Sequence, residues 1–223
     1  MTLTLVIGAV LISAYLLGSV PFGYAIARSR GVNILQQGSG NIGATNVGRI
    51  LGKKWGILVF LLDFCKGALP VLLAKQLRFS EVETHLWPNT LPVLAGIAAF
   101  LGHLFPVFLG FKGGKGVATG AGVIAILVPL WTLAALASWG LTLWWSRYVS
   151  LASLVAAVVL LALQLTATPQ PWSTENRVIS LFCLIATMLV FLRHGSNIQR
   201  LIRGTENRLG QSRRTETSPP ESP

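Results

Sequence analysis

Five apolar runs, at residues 3–26, 55–74, 91–110, 148–166 and 176–193, constrain this chain more than any other feature. Each matches the roughly 20 residues that an α-helix needs to cross the hydrocarbon layer of a bilayer. Backbone N–H and C=O groups meet no water there, so each run must satisfy its own hydrogen bonds, and a helix does so. The runs predict an all-α, polytopic membrane protein. Composition agrees, because 52% hydrophobic and 11% charged residues over a chain of 223, with a mean hydropathy of +0.64, exceed what one soluble core can hide. No basic segment precedes the first run and no small-residue cleavage site follows it, which predicts a retained span rather than a signal peptide. Cys65 and Cys183 both lie inside apolar runs and read as small buried hydrophobes, not as disulfide partners or metal ligands.

The stretch 117–146 is too long for one upright helix and short for two, but "VPLW" at 128–131 offers a proline break. Six or seven spans follow, and charge decides between them, since Lys and Arg gather in cytoplasmic loops. Arg28, Arg30, Arg49, Lys53 and Lys54 follow the first span; Lys112 and Lys115 follow the third; Arg193, Arg200, Arg203, Arg208, Arg213 and Arg214 follow the last. The remaining connections hold few basic residues, with Lys75 and Arg78 offset by Glu81 and Glu83, and Arg177 beside Glu175. Both 112–116 and 193–214 face the cytoplasm only if an even number of crossings separates them. The expectation is seven transmembrane helices, two short ones within 117–146, with the N-terminus outside and the C-terminus cytoplasmic. Residues 1–207 would form the integral membrane domain, and 208–223, polar and proline-rich, a disordered cytoplasmic tail. The net charge of +11 then belongs largely to one face, where it attracts anionic headgroups and anionic substrates. Membrane lipid is the expected surrounding, and no nucleic acid is expected as a partner.

Three cytoplasmic segments carry polar groups beyond what topology requires. The first, "GSGNIGATNVGR" at 38–49, follows "GSVPFG" at 18–23. Gly38, Gly40 and Gly43 would let backbone N–H groups turn toward an oxyanion without side chains in the way. Ser39, Asn41, Thr45 and Asn46 add neutral donors, and Arg49 adds a fork that can hold phosphate bidentately. The second, "FKGGKGVATG" at 111–120, sets Gly113, Gly114 and Gly116 with Lys112 and Lys115 before an apolar helix, whose N-terminus would favour an anion. It is not a Walker A loop, because Gly116 follows Lys115 where Ser or Thr is required and Leu109 stands at the upstream glycine position. In the third, "RHGSNIQRLIRGTEN" at 193–207, His194 and Asn197 are three apart and share a face if the last helix continues past the membrane. For each segment the alternative is an ordinary loop with topology charges, or for His194 a helix cap, and for Glu206 a pairing with nearby arginines. Within the spans, Asp63 and Lys66 of "LDFCKG" lie three apart on one helix face and are expected to form an ion pair. His103 in "GHLFP" is expected to pack in the bundle and donate to a carbonyl. No acidic or His/Cys cluster has metal-ligand spacing, so neither metal nor cofactor is expected.

Taken together, "GSVPFG", "GSGNIGATNVGR", "LDFCKG", "GHLFPVFLGFKGGKGVATG" and "RHGSN" with "GTE" resemble, in order over residues 10–206, the signature segments of the bacterial acyl-phosphate-dependent glycerol-3-phosphate acyltransferases. The resemblance implies a seven-helix fold in the inner membrane with a cytoplasmic active site. It implies transfer of a fatty acyl group from acyl phosphate to the 1-hydroxyl of sn-glycerol 3-phosphate, giving lysophosphatidic acid and phosphate, the first step of phospholipid synthesis. By the same resemblance Ser39, Arg49, Lys115, His194 and Asn197 would hold glycerol 3-phosphate and the glycine-loop backbones the acyl phosphate, with Thr45, Asn46 and Lys112 as weaker assignments. A functional link to the enzyme that forms acyl phosphate is implied as well. Either His194 or a phosphate oxygen of the substrate could take the acceptor proton. Two rivals differ in recognisable ways. An anion transporter should gather its binding groups near the midplane in repeated halves, whereas here they collect on one face without a repeat. An acyl-CoA or acyl-carrier-protein enzyme typically has a His-x-x-x-x-Asp box, and Gln199 stands where that aspartate would be.

Overall fold

The computed structural model describes residues 3–77 and 88–210, and every described element is helical. In chain order these are α1 (Leu3–Ser19), α2 (Phe22–Ser29), α3 (Ala44–Leu51), α4 (Lys53–Gln76), α5 (Thr90–Leu104), α6 (Val117–Leu127), α7 (Pro129–Ser146), α8 (Val149–Thr166), α9 (Arg177–Arg193) and α10 (Gly195–Ile202), with 3₁₀ turns at Ile34–Gln36 and Val107–Leu109. Among the described residues four segments are long and apolar enough to cross a membrane: Thr4–Ser29, Lys53–Gln76, Thr90–Leu109 and Val149–Thr166. The pair α9 and α10 makes a fifth if taken as one span bent by 58°. At the start of the expected tail Arg208 donates to the Tyr148 hydroxyl at 3.0 Å and Leu209 N–H to the Arg147 carbonyl at 2.7 Å; residues 211–223 of that tail lie outside the described residues.

Proline sets two of the breaks. The first run divides at Pro21, whose ring supplies no N–H to continue the ladder. Val20 C=O, left near that break, accepts Lys66 Nζ at 2.8 Å. The same Nζ lies 2.8 Å from Asp63 Oδ1, so the expected ion pair is present and also caps a neighbouring helix end. The second break falls at Val128–Pro129, where "VPLW" predicts it; Pro129 opens α7, and Lys75 Nζ reaches the Ile126 carbonyl at the end of α6 at 2.7 Å. The two resulting helices are unequal. At about 1.5 Å per residue, the 11-residue α6 is only about 16 Å long, whereas the 18-residue α7 is about 27 Å.

In lipid, helices associate through close packing and polar contacts rather than through a hydrophobic drive, and small residues allow the approach. Gly67 of α4 sits against the Thr119 carbonyl of α6, and Gly122 of α6 against the Phe64 carbonyl of α4. Beside this crossing, Val71, Val93, Val123, Leu127, Phe182 and Cys183 form a buried cluster. Cys65 is exposed, and both cysteines are free thiols. The outward face of α7 is apolar, with Leu133, Leu141, Trp144 and Trp145 exposed beside Arg147, the arrangement of an interfacial aromatic anchor.

Candidate functional site

The first glycine-rich segment is more structured than a loop. Gly43 caps α3, so Thr45, Asn46 and Arg49 ride on a helix. Asn46, 2% exposed, acts as the scaffold: its Oδ1 accepts Ser39 N–H at 2.9 Å, and its Nδ2 donates to the Gln37 and Asn41 carbonyls at 3.0 and 2.9 Å. Asn41 Oδ1 in turn accepts Gly43 N–H at 2.8 Å. Gly38 and Gly40, at φ +61° and +68°, make the turn this wrapping requires. Their place is in the turn and not in the cavity wall, and Gly43 N–H, expected to be open to an anion, is already spent.

The second segment differs from expectation in the same way. Gly113 N–H donates to the Leu104 carbonyl at 3.2 Å and Gly114 N–H to the His103 carbonyl at 3.1 Å. Neither glycine lines the cavity, and Lys112 is exposed away from it. What remains at the cavity is Lys115, Gly116 at φ +83°, and the first residues of α6, Val117 and Ala118. Lys115 Nζ donates to Asn197 Oδ1. Burial pushes its ammonium down to about 8, against the pull of the Glu206 carboxylate.

The third segment does not continue the last helix straight. The chain turns by 58° at His194, which ends α9 and caps α10. Gly195 and Ser196 are the first two helical residues of α10. His194 and Asn197, 2% and 5% exposed, still line one cavity. His194 Nδ1 lies 2.8 Å from the Val190 carbonyl; only a protonated Nδ1 can bond there, which leaves the Nε2 lone pair as the ring's acceptor. Glu206 returns on the turn at Gly204 (φ +69°) and accepts from Ser150 Oγ at 2.8 Å, Asn197 Nδ2 at 2.6 Å and Arg200 Nε at 2.7 Å. Burial raises its carboxyl, but the three donors outweigh that and hold it below the usual carboxylate range. The expected arginine pairing is therefore present, with Arg200.

One cavity thus gathers Ser39, Gly43, Thr45, Asn46, Arg49, Lys115, Gly116, His194 and Asn197. It also takes in Asp63, His103, Ser150, Arg200 and Glu206, which sequence reasoning did not assign to it. His103 does not donate to a carbonyl as expected: its Nδ1 faces Asp63 Oδ1 at 3.7 Å. Its charged lining includes the cations Arg49, Lys115 and Arg200 beside the carboxylates Asp63 and Glu206. Apolar groups of Phe60, Val117, Ala118, Trp139 and Val149 line the same cavity, with the Trp139 indole donating to Ser153 Oγ at 3.3 Å. A lining that mixes cations with apolar side chains suits a ligand that carries both a phosphate and hydrocarbon.

A family model described as glycerol-3-phosphate acyltransferase matches residues 8–204. A glycerol-3-phosphate acyltransferase of Anaeromyxobacter dehalogenans (strain 2CP-C) is 44% identical over 209 residues, 91% of this chain and 98% of that protein. The one from Aquifex aeolicus (strain VF5) is 44% identical over 198 residues, 88% and 96% of the two chains. Among solved structures, PlsY (YgiH), an integral membrane glycerol 3-phosphate acyltransferase, superposes in its glycerol 3-phosphate form with a TM-score of 0.81 at 41% identity, over 92% of this chain and 96% of that one. Its lysophosphatidic acid form gives a TM-score of 0.78 at 42% identity, over 92% and 95%.

Proposed function

The chain belongs to the glycerol-3-phosphate acyltransferase family, and on that premise we propose that it moves a fatty acyl group from acyl phosphate to the 1-hydroxyl of sn-glycerol 3-phosphate. The products are lysophosphatidic acid and phosphate, and the step opens membrane phospholipid synthesis. The observation that carries this reading is the cavity's mixed lining, which sets the cations Arg49, Lys115 and Arg200 beside apolar Phe60, Trp139 and Val149. Ser39, Arg49, Lys115, His194 and Asn197 hold glycerol 3-phosphate, while the α6 N-terminus and Lys115 face the donor phosphate. An acyl phosphate brings its own leaving group, so the enzyme needs mainly to juxtapose two anions and neutralise them. In keeping with that, His194 leans on a backbone carbonyl rather than on a carboxylate, and no Ser-His-Asp triad is present among the described residues. Purified enzyme with labelled glycerol 3-phosphate should make lysophosphatidic acid from acyl phosphate, and hydroxylamine, which destroys that donor, should abolish product. Synthesis sustained by acyl-CoA in its presence would overturn the choice of donor.

The seven-span arrangement, N-terminus outside and site toward the cytoplasm of the inner membrane, belongs to the same proposal. It rests on the basic loops, which translocate poorly. A cysteine at Gly31, Lys112 or Gly210 should label only from the cytoplasmic side, and one at Pro88 or Gln170 only from outside. Outside labelling of position 112 would reverse the orientation.

Lys115 predicts a pH dependence. Its folded value, about 8, lies below the 10.5 of a free lysine, so the empty enzyme loses this charge as pH rises through about 8. A bound phosphate dianion favours the charged form, and above that pH binding must take up a proton. The KM for glycerol 3-phosphate should therefore rise, by up to about tenfold per pH unit, above pH 8. Lys115→Arg, which stays charged, should flatten the rise. A flat wild-type profile from pH 7 to about 9.5 would remove Lys115 from phosphate binding.

A further inference from the structure

The peptide pair Gly113–Gly114 has both its donors and both its acceptors engaged, and the residue it leads into is Lys115. From one side the carbonyls of Leu104 and His103 accept the two N–H groups at 3.2 and 3.1 Å. From the other, Arg193 at the end of α9 spans both carbonyls, with Nη2 2.9 Å from Gly113 O and 2.8 Å from Gly114 O, and Nε 3.1 Å from Gly114 O. The His103 ring lies directly under Gly114, where any Cβ would overlap it. That ring is backed by Asp63 at 3.7 Å, and Asp63 by Lys66 at 2.8 Å. The clamp thus joins the ends of α5 and α9 around two residues that carry no side chain of their own.

We propose that Arg193 is a positioning residue for acyl transfer: its guanidinium closes the clamp on Gly113–Gly114 and so aims Lys115 into the cavity. A planar fork can reach two successive carbonyls at once, whereas an ammonium is a single point of charge. Lys115 needs such a fixture because its own long stem is flexible, and in the empty protein its Nζ is oriented by the amide of Asn197. The rival role is direct contact with a phosphate, since Arg193 also borders a second opening with Ser39, Lys115 and Arg200. The inference rests on the acyltransferase reading above.

A double-mutant cycle on the full-length purified enzyme separates the two roles. The variants are Arg193→Lys, Lys115→Met and their combination, with kcat and KM for glycerol 3-phosphate measured at saturating palmitoyl phosphate. Arg193→Lys should raise KM about tenfold with a smaller change in kcat, and the double variant should match Lys115→Met within about twofold, because effects acting through one group do not add. Multiplying effects in the double variant would mean that Arg193 meets substrate independently, and wild-type kinetics in Arg193→Lys would mean that the clamp does not aim Lys115; either overturns the proposal. If Arg193→Lys does not fold, His103→Asn, which removes the ring under Gly114, enters the same cycle with the same outcomes. A wild-type enzyme inactive with palmitoyl phosphate but active with another donor sinks the donor assignment alone, and the cycle run with that donor still tests the clamp.

Discussion

His194→Ala should lower kcat/KM for glycerol 3-phosphate by about a hundredfold or more, the scale of a lost acid–base or acceptor-orienting group. The expectation comes from the imidazole's fixed pose, with Nδ1 committed to the Val190 carbonyl at 2.8 Å and Nε2 left as an acceptor in the cavity. Proton balance bears on how the loss divides. Acyl phosphate and an alcohol give an ester and hydrogen phosphate, so the hydroxyl proton ends on the departing phosphate and no base has to keep it. On the proposed reaction His194 would serve chiefly to accept the hydrogen bond of the acceptor hydroxyl and align it. On that account much of the loss in the alanine variant appears as a raised KM, and His194→Gln, which retains a polar group able to accept, recovers part of it. A His194→Gln enzyme as inactive as the alanine variant, with wild-type affinity for glycerol 3-phosphate by direct binding, would make the histidine the obligatory base.

Gly122→Val should yield no monodisperse enzyme. A Cβ at Gly122 would overlap the Phe64 carbonyl and come within 2.9 Å of Ala68 N, both backbone atoms of α4 that cannot rotate away. Overpacking that a side chain can absorb costs about 1–3 kcal/mol, and a clash against fixed helix backbone exceeds that. Parting α4 from α6 would also displace the Asp63–Lys66 pair and the α6 N-terminus together, so any surviving protein should be inactive. Gly140→Ala is the control: no atom lies within 4 Å of its Cβ position, and alanine is favoured over glycine in a helix by about 1 kcal/mol. Size-exclusion profiles and thermal unfolding in detergent read both. A Gly122→Val enzyme with wild-type Tm would show that the helices are not locked at this crossing.

The helices were legible because lipid imposes a length and an apolar composition on each span, and both are local properties. So were the break at Pro129 and the Asp63–Lys66 pair, the first set by a ring without an N–H and the second by i, i+3 spacing. Ser39, Arg49, Lys115, His194 and Asn197 could be picked out singly, since a charged or polar side chain beside glycines at a membrane face calls for an explanation. The pairing of the glycine N–H groups was not legible. Their freedom suggested N–H groups open to phosphate, yet Gly43, Gly113 and Gly114 donate to Asn41, Leu104 and His103, because a buried backbone donor must be paired and the partner stood elsewhere in the chain.

The residue pattern by itself determined that this chain is helical, lies in a membrane and carries its polar chemistry in three basic segments. Only the tertiary structure decided how those segments meet. Lys115 touches Asn197 across 82 residues of chain, Ser150 touches Glu206 across 56, and Arg193 holds Gly114 across 79. Periodicity and spacing report on neighbours a few residues apart, whereas contacts at these separations depend on which helix faces lie together. That is settled here by backbone crossings such as Gly67 on Thr119, where the absence of a side chain matters only once the opposing helix is known.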